Sequence, residues 1–186
     1  HPRASARRTT QRGVFAAWPE TFDMIAVVKA AQAISGELTW ERVTQRLLEV
    51  AIEHSGASYG CLLFKQDRDL LVAAYAHAET RGVVVQRGEL KPLDSLPVVP
   101  ASIARFVARS GERIIMDDDE SNEWFASDTY LRKKRPRSVL CLPVSRRVEV
   151  SALLYLENQE VAGAFAQEHM TALELIAAQA EIALAN

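Results

Sequence analysis

The sequence predicts an α+β domain with a central antiparallel sheet of five to six strands. Two adjacent apolar runs, at 138–144 and 148–156, flank a short basic turn and contain several β-branched or aromatic residues, which favours strands. A second pair of runs, 58–65 and 70–78, flanks a turn of four polar residues. Strand–turn–strand pairs imply antiparallel pairing, and helical periodicity near both chain ends supplies helices to cover one face.

Length and composition describe an ordinary globular domain. The chain has 186 residues, of which 48% are hydrophobic and 25% charged, with a net charge of −2. This charge gives no electrostatic case for nucleic acid as a partner, and no apolar run is long enough to insert into a membrane. Cys61 and Cys141 both fall in predicted strands, which favours buried free thiols and a cytoplasmic location.

The N-terminal third is expected to contain an arm and two helices. Residues 1–20 are polar, basic and aperiodic, which is typical of a flexible linker before a domain spanning 21–186. Residues 21–35 are apolar around most of a helical circumference, so this helix must be buried on more than one side. Residues 40–54 form a one-sided amphipathic pattern that ends before Gly56, which predicts a helix lying on the sheet.

The middle of the chain is expected to cover the second face of the sheet. A short edge strand at 81–86 is followed by a proline-containing loop, a helix at 101–109 and a strand at 113–116. The acidic turn 117–120 lacks the spacing of a calcium loop, and 121–130 is irregular. One helix and long loops over an apolar sheet leave room for a small molecule beneath them.

The last predicted helix, 167–185, has few polar residues and is apolar on most of its surface. Together with 21–35 it carries more apolar surface than one face of a sheet covers, which predicts a homodimer through these two helices. The chain stops at Asn186 without a glycine or proline after the helix, so we expect a longer parent chain.

Three segments resemble the GAF domain, a small sensing module related to PAS domains: RSVLCLP at 137–143, LLYLEN at 153–158, and LELIAAQAEI at 173–182. Shorter motifs, such as DTYL at 128–131, look like the variant found in large multidomain sensor histidine kinases. The resemblance covers residues 21–186 and agrees with the predicted element order. It implies a non-enzymatic sensory domain that binds a small molecule, with a kinase or other output domain in the parent chain.

The resemblance implies no particular ligand or cofactor. Cyclic-nucleotide-binding members would place a signature at Asn158 and Phe165, but the lysine and the Asp-Glu pair of that signature are missing. Bilin-binding members attach the chromophore to a cysteine that is commonly next to a histidine, and both cysteines here precede leucine. Members that act as methionine sulfoxide reductases use several loop cysteines, which this chain lacks.

Candidate ligand contacts come from the strands and from the irregular stretch before the basic segment at 132–137. Aromatic residues in that stretch either fill the core or face a ligand, and strand parity alone leaves open which residues face the pocket. The candidates are Tyr75, His77, Trp124, Phe125, Tyr130 and Cys141.

Two alternatives to a sensory domain remain open at the level of sequence. One is a structural dimerisation module with a filled pocket, which predicts the same helices but no cavity. The other is an enzyme such as a thiol reductase, which depends on an accessible Cys61 or Cys141. The sequence contains no phosphate-binding loop, HExxH, CxxC or GxSxG motif, and its four histidines are scattered, so we expect neither an enzyme nor a metal site.

Overall fold

A computed structural model describes residues 7–10, 39–117, 123, 125–146, 149–165 and 167–185 of the chain. The predicted helix at 21–35, the candidate residue Trp124 and most of the predicted arm at 1–20 lie outside the described residues.

The described residues form one antiparallel sheet of seven strands, in the order β1-β5-β6-β7-β2-β3-β4. The strands are β1 (Arg7–Thr10), β2 (Tyr59–Gln66), β3 (Asp69–Glu79), β4 (Gly82–Pro92), β5 (Glu112–Asp117), β6 (Ser138–Arg146) and β7 (Glu149–Asn158). The predicted α+β class with an antiparallel sheet is therefore confirmed. Six of these strands correspond to predicted ones, and β1 adds a short edge strand that pairs with β5.

Four helices of the described ranges accompany the sheet: α1 (Trp40–Ser55), α2 (Ala101–Ser110), α3 (Thr129–Lys134) and α4 (Gln167–Ala185). Helices α1 and α4 contact each other and cover one face, while α2 packs on the other face against β5, β6 and β7. The two-faced arrangement predicted from the sequence is confirmed for these helices. The short helix α3 stands within the segment that the sequence presents as irregular and basic.

The central hairpin of β6 and β7 is buried on both faces, as its nearly continuous apolar sequence predicts. Leu154 and Leu140 face α1 and α4, whereas Leu153 and Val139 face α2. Because side chains alternate along a strand, every second residue of β7 belongs to a different core. One core therefore lies between the sheet and the helices α1 and α4, and the other lies between the sheet and α2 with the neighbouring loops.

Helix α1 lies very close to the sheet at Gly60 of β2. A β-carbon at Gly60 would stand 2.9 Å from the side chain of Leu156 and 3.3 Å from that of Ile52. The absence of a side chain lets α1 seat against β2 and β7 at this point.

In the described part of the chain, no helix has the length and hydropathy that a membrane crossing requires.

Candidate functional site

A cavity of about 530 Å³ opens at one end of the sheet, on the face that α2 covers. The ends of β2, β3 and β7 form its floor, and α3 and the loop before α2 form its walls. Its lining residues are Ser58, Tyr59, Tyr75, His77, Pro97, Val98, Tyr130, Lys134, Glu157 and Gln159.

Strand register brings the floor residues together. Tyr59 of β2 stands opposite His77 on β3 and opposite Glu157 on β7. Two residues further along β2, Cys61 stands opposite Tyr75 on β3 and Tyr155 on β7. Residues two apart on a strand share a face, so all these side chains lie on the cavity side of the sheet.

All four tyrosines of the chain meet at this site. The ring centroid of Tyr59 is 6.4 Å from that of Tyr75 and 6.4 Å from that of Tyr155. The ring centroids of Tyr130 and Tyr155 are 6.3 Å apart. His77 lies 4.9 Å from Tyr59. These distances are in the range of attractive aromatic contacts, so the rings form one connected aromatic cluster.

Glu157 is the buried acidic group of the cavity and is only 3% exposed. Its two carboxylate oxygens accept hydrogen bonds from the hydroxyls of Tyr130 at 2.6 Å and Tyr155 at 3.0 Å. Burial raises the pKa of Glu157, and it outweighs the hydrogen bonds and the nearby Lys134 charge that lower it. The site thus holds a carboxyl group whose negative charge is disfavoured by burial and only partly stabilised by its hydrogen bonds and by Lys134.

The phenol groups are held in their neutral, hydrogen-bond-donating form. Burial is the main cause that raises the pKa of Tyr59, Tyr130 and Tyr155, and the negative charge of Glu157 raises it further. The hydroxyl of Tyr59 donates to the backbone oxygen of Val98 at 2.7 Å, which ties the loop before α2 to the sheet.

Asp128 positions Tyr130 above Glu157. Its side chain accepts hydrogen bonds from the backbone N–H groups of Tyr130 at 2.9 Å and Leu131 at 3.2 Å, which caps α3. It also accepts from the backbone N–H of Ser102, at 3.0 Å, in the first turn of α2. One carboxylate therefore joins the starts of two helices and fixes the wall of the cavity.

The candidate residues named from the sequence are distributed as follows. Tyr75, His77 and Tyr130 line the cavity. Phe125 does not reach the cavity, because it fills the core beneath α2. It is 4% exposed, and its ring stands edge-on to that of Phe106 at a centroid distance of 6.1 Å. Cys141 is also absent from the lining, since it lies in the middle of the sheet opposite Tyr155.

Sequence reasoning missed Tyr59, Glu157 and Lys134. A signal for Glu157 was present in the motif LLYLEN, where one acidic residue interrupts an apolar strand two positions after a tyrosine. A carboxyl group at a buried strand position needs hydrogen-bond donors, and tyrosines are suitable ones. Lys134 could be identified only from the fold, since nothing in its local sequence distinguishes it from the adjacent Lys133.

Neither cysteine has the properties of a reactive thiol. Both are fully buried, and burial raises the pKa of each well above its usual value. They lie on β2 and β6, on opposite sides of Tyr155 in β7. A separation of two strand spacings, about 9.5 Å, exceeds the reach of a disulfide.

The described ranges contain no group of three or more His, Cys, Asp or Glu side chains arranged to hold a metal ion. The polar groups of the cavity are hydrogen-bonding and aromatic in kind. Such a site is suited to binding a small organic molecule in a defined orientation.

The fold is an antiparallel sheet with a helical layer on one face and a loop-covered cavity on the other, and comparison with known proteins identifies the family. The family model described as the GAF domain matches residues 37–185. The chain belongs to the GAF domain family.

The relatives with established descriptions are histidine kinases. The peroxide stress-activated histidine kinase mak3 of Schizosaccharomyces pombe is 22% identical over 168 residues, which is 90% of this chain and 7% of that protein. Histidine protein kinase 1 of Candida albicans is 26% identical over 175 residues, which is 87% of this chain and 7% of that protein. The chain therefore spans less than a tenth of the length of these relatives.

Solved structures share the fold. The GAF domain from the Acinetobacter phosphoenolpyruvate-protein phosphotransferase has a TM-score of 0.65 at 13% identity, over 87% of this chain and 92% of that one. The phycocyanobilin-bound GAF domain from a cyanobacterial phytochrome has a TM-score of 0.62 at 19% identity, over 87% and 92%. At these identities the likeness concerns the fold alone.

Proposed function

We propose that this chain is the sensory domain of a cytoplasmic histidine kinase, and that the tyrosine-lined cavity binds a small molecule which changes kinase output. The observation that carries the proposal is the open cavity of about 530 Å³ at the aromatic cluster. Its volume falls in the range of small-molecule sites. The histidine kinase relatives and the bilin-bound neighbour support the same assignment. The domain itself is non-enzymatic, and the kinase lies in the remainder of a longer parent chain.

The end of β7 connects the cavity to the C-terminal helix. Glu157 faces the cavity, and the next residue, Asn158, turns to the opposite face. The Asn158 amide donates to the backbone oxygen of Gly56 at 2.9 Å, and its oxygen accepts from the backbone N–H groups of Glu160 and Val161, both at 2.8 Å. A ligand that contacts Glu157 is therefore one residue away from Asn158, which holds the loop that leads into α4. A ligand that prefers one arrangement of this loop shifts its population.

Helix α4 is the proposed output element and dimer contact. An ion pair between Glu174 and the buried Arg113 of β5 anchors it to the sheet. Towards its end, Ile182 is 55% exposed, which leaves apolar surface for the same helix of a second copy. The helix predicted at 21–35, which lies outside the described residues, is the second element of the proposed contact.

The cavity proposal is tested by a metabolite library in a thermal-shift assay. A true ligand raises the melting temperature in proportion to RT ln(1+[L]/Kd). His77→Ala, in the cavity, should reduce this shift, whereas His54→Ala, in the last turn of α1 on the other face of the sheet, should leave it unchanged. If no compound shifts the melting temperature, the competing proposal of a structural dimerisation module gains support.

The dimer proposal is tested by sedimentation equilibrium. Ile182→Glu should weaken self-association because it places a charge in the proposed contact. Val161→Glu is the matched control, since Val161 is 53% exposed and lies outside α4. A wild-type domain that is monomeric at high concentration would refute the dimer without affecting the ligand proposal.

A further inference from the structure

Three of the four phenol hydroxyls at the cavity have already used their donor hydrogens within the protein, whereas the hydroxyl of Tyr75 donates to no described residue. Tyr130 and Tyr155 donate to the carboxylate of Glu157, and Tyr59 donates to the backbone oxygen of Val98. Each hydroxyl carries a single hydrogen but two acceptor lone pairs. The oxygens that remain available to a ligand from these groups are therefore acceptors.

The other polar groups of the floor follow the same pattern. The hydroxyl of Ser58 donates to the backbone oxygen of Glu157 at 3.2 Å and accepts from the backbone N–H of Gln159 at 3.1 Å. The Glu157 carboxylate has roughly four acceptor sites, and hydrogen bonds from Tyr130, Tyr155 and Gln159 leave some of that capacity unused. The floor of the cavity can accept further hydrogen bonds but has few left to donate.

The floor also favours positive charge. It combines a buried carboxylate with the rings of three lining tyrosines, and aromatic rings attract ammonium groups through their electron-rich faces. A cation beside Glu157 also offsets the burial cost that raises the pKa of this carboxyl. Both effects favour an ammonium group with several N–H donors.

The mouth of the cavity has the opposite preference. Lys134, which lines it, is exposed and close enough to Glu157 for its charge to lower the pKa of that carboxyl. The amide of Gln159 and the imidazole of His77 are exposed there as well and can donate hydrogen bonds. An acidic group is the natural partner of this rim, because it pairs with Lys134 while remaining partly hydrated.

We propose that the cavity binds a small zwitterion of the amino acid type, with its ammonium group at Glu157 and the tyrosine rings and its acidic group at Lys134. The inference rests on the proposed function, because it names the chemical class of the ligand for that same cavity. The remaining volume takes an apolar side chain between Tyr75, His77 and Val98.

Matched sets of three compounds test the proposal by isothermal titration and thermal shift. One set is phenylalanine, phenethylamine and 3-phenylpropanoic acid; another is leucine, isopentylamine and 4-methylpentanoic acid. In at least one set the amino acid should bind most tightly, the amine more weakly, and the acid least. An acid that binds as tightly as its amino acid overturns the assignment of the ammonium group to the floor.

Two pairs of variants locate the charged ends of the ligand. Glu157→Gln should weaken amino acid binding by about thirtyfold or more because it removes a buried charge partner, while Glu149→Gln, an exposed site on the same strand, should not. Lys134→Met should weaken amino acid binding about two- to fivefold, as expected for an exposed ion pair, and should not weaken amine binding, because an amine has no acidic group to pair with Lys134. Lys133→Met is its control.

The outcomes separate this inference from the proposed function. Binding of neutral or purely anionic compounds from the wider library, with none of the amines or amino acids binding, overturns the zwitterion and leaves the sensory proposal standing. Equal losses in Glu157→Gln and Glu149→Gln also overturn the zwitterion, because the effect would then be independent of the cavity. No binding of any compound contradicts both. Circular dichroism and the melting temperature of each ligand-free variant establish that it is folded.

Discussion

Tyr130 and Tyr155 are the residues that make a buried carboxyl group tolerable at position 157. An unpaired carboxyl group in this position would carry the full cost of desolvation. Two hydrogen bonds from neutral phenols, at 2.6 and 3.0 Å, reduce that cost without introducing a second buried charge. The pairing also fixes the orientation of both tyrosine rings, so the polar network determines the shape of the cavity.

Tyr130→Phe tests the strength of this network. It removes the hydroxyl that donates to Glu157 at 2.6 Å and keeps the ring. A hydrogen bond to a charged group contributes about 1.5–3 kcal/mol, so we expect urea denaturation to show a loss near the lower end of that range. Tyr75→Phe is the control, because the Tyr75 hydroxyl donates no hydrogen bond to the residues described. Equal stability of the two variants would contradict a structural role for the Tyr130 hydroxyl.

Glu157→Gln should change how the stability of the domain depends on pH. The folded-state pKa of Glu157 lies above its usual value of 4.5, so the folded state holds this proton more tightly than the unfolded state. The stabilising effect of the protonated group is complete below pH 4.5 and is lost as the pH rises through the raised pKa.

The measurement is the free energy of unfolding in urea from pH 4 to pH 8 for wild type and variant. The wild type should lose stability relative to Glu157→Gln as the pH rises, because glutamine does not ionise. Parallel curves for the two proteins would show that Glu157 is not the group responsible.

At the scale of single residues, the sequence predicted three of the cavity-lining side chains, Tyr75, His77 and Tyr130. It also named Phe125, which lies in a turn and fills the core beneath α2, and Cys141, which faces the cavity side of the sheet but lies in its middle, away from the opening. Strand parity becomes decisive only when the register between β2, β3 and β7 is known. Register depends on contacts between segments that are far apart in the chain, which local patterns do not contain.

Among the elements, α1 depends on a small residue beneath it. Gly60→Ala would place a β-carbon 2.9 Å from Leu156 and 3.3 Å from Ile52, both in the helical core. Neighbours must move to accept it, and such overpacking costs about 1–3 kcal/mol. Gly88→Ala on β4 is the matched control, since a β-carbon there meets no atom within 4 Å. Thermal or urea unfolding should separate the two variants; similar midpoints would show that α1 shifts freely over β2.

The elements that the sequence predicted are those with a strong hydrophobic pattern. The hairpin β6–β7 and the helices α1, α2 and α4 were predicted within a few residues of their observed ends. The short elements β1 and α3 were not predicted. Four backbone-paired residues at a sheet edge carry no alternation, and α3 is a six-residue helix without a buried side chain, stabilised by the Asp128 cap and not by amphipathicity.

For the whole molecule, Cys61 and Cys141 report on global unfolding. Both thiols are fully buried in the core and burial raises the pKa of each, so a thiol reagent should react with neither in the native domain. In urea both should react, with a midpoint that matches the transition seen by circular dichroism. Rapid labelling of either cysteine in native protein would reopen the interpretation as a thiol enzyme.

The buried polar groups of the cavity have hydrogen-bond partners within the protein itself. Among the described residues, the buried side-chain atom left without a hydrogen-bond partner is Thr44 Oγ1, in α1 and remote from the cavity. A ligand is therefore not needed to complete the hydrogen bonds of these buried groups. For one site of this kind, occupancy rises from about a tenth to about nine tenths over roughly a hundredfold range of concentration. Such a dose–response is graded, so the occupancy of this one cavity reports concentration continuously and does not act as a sharp threshold.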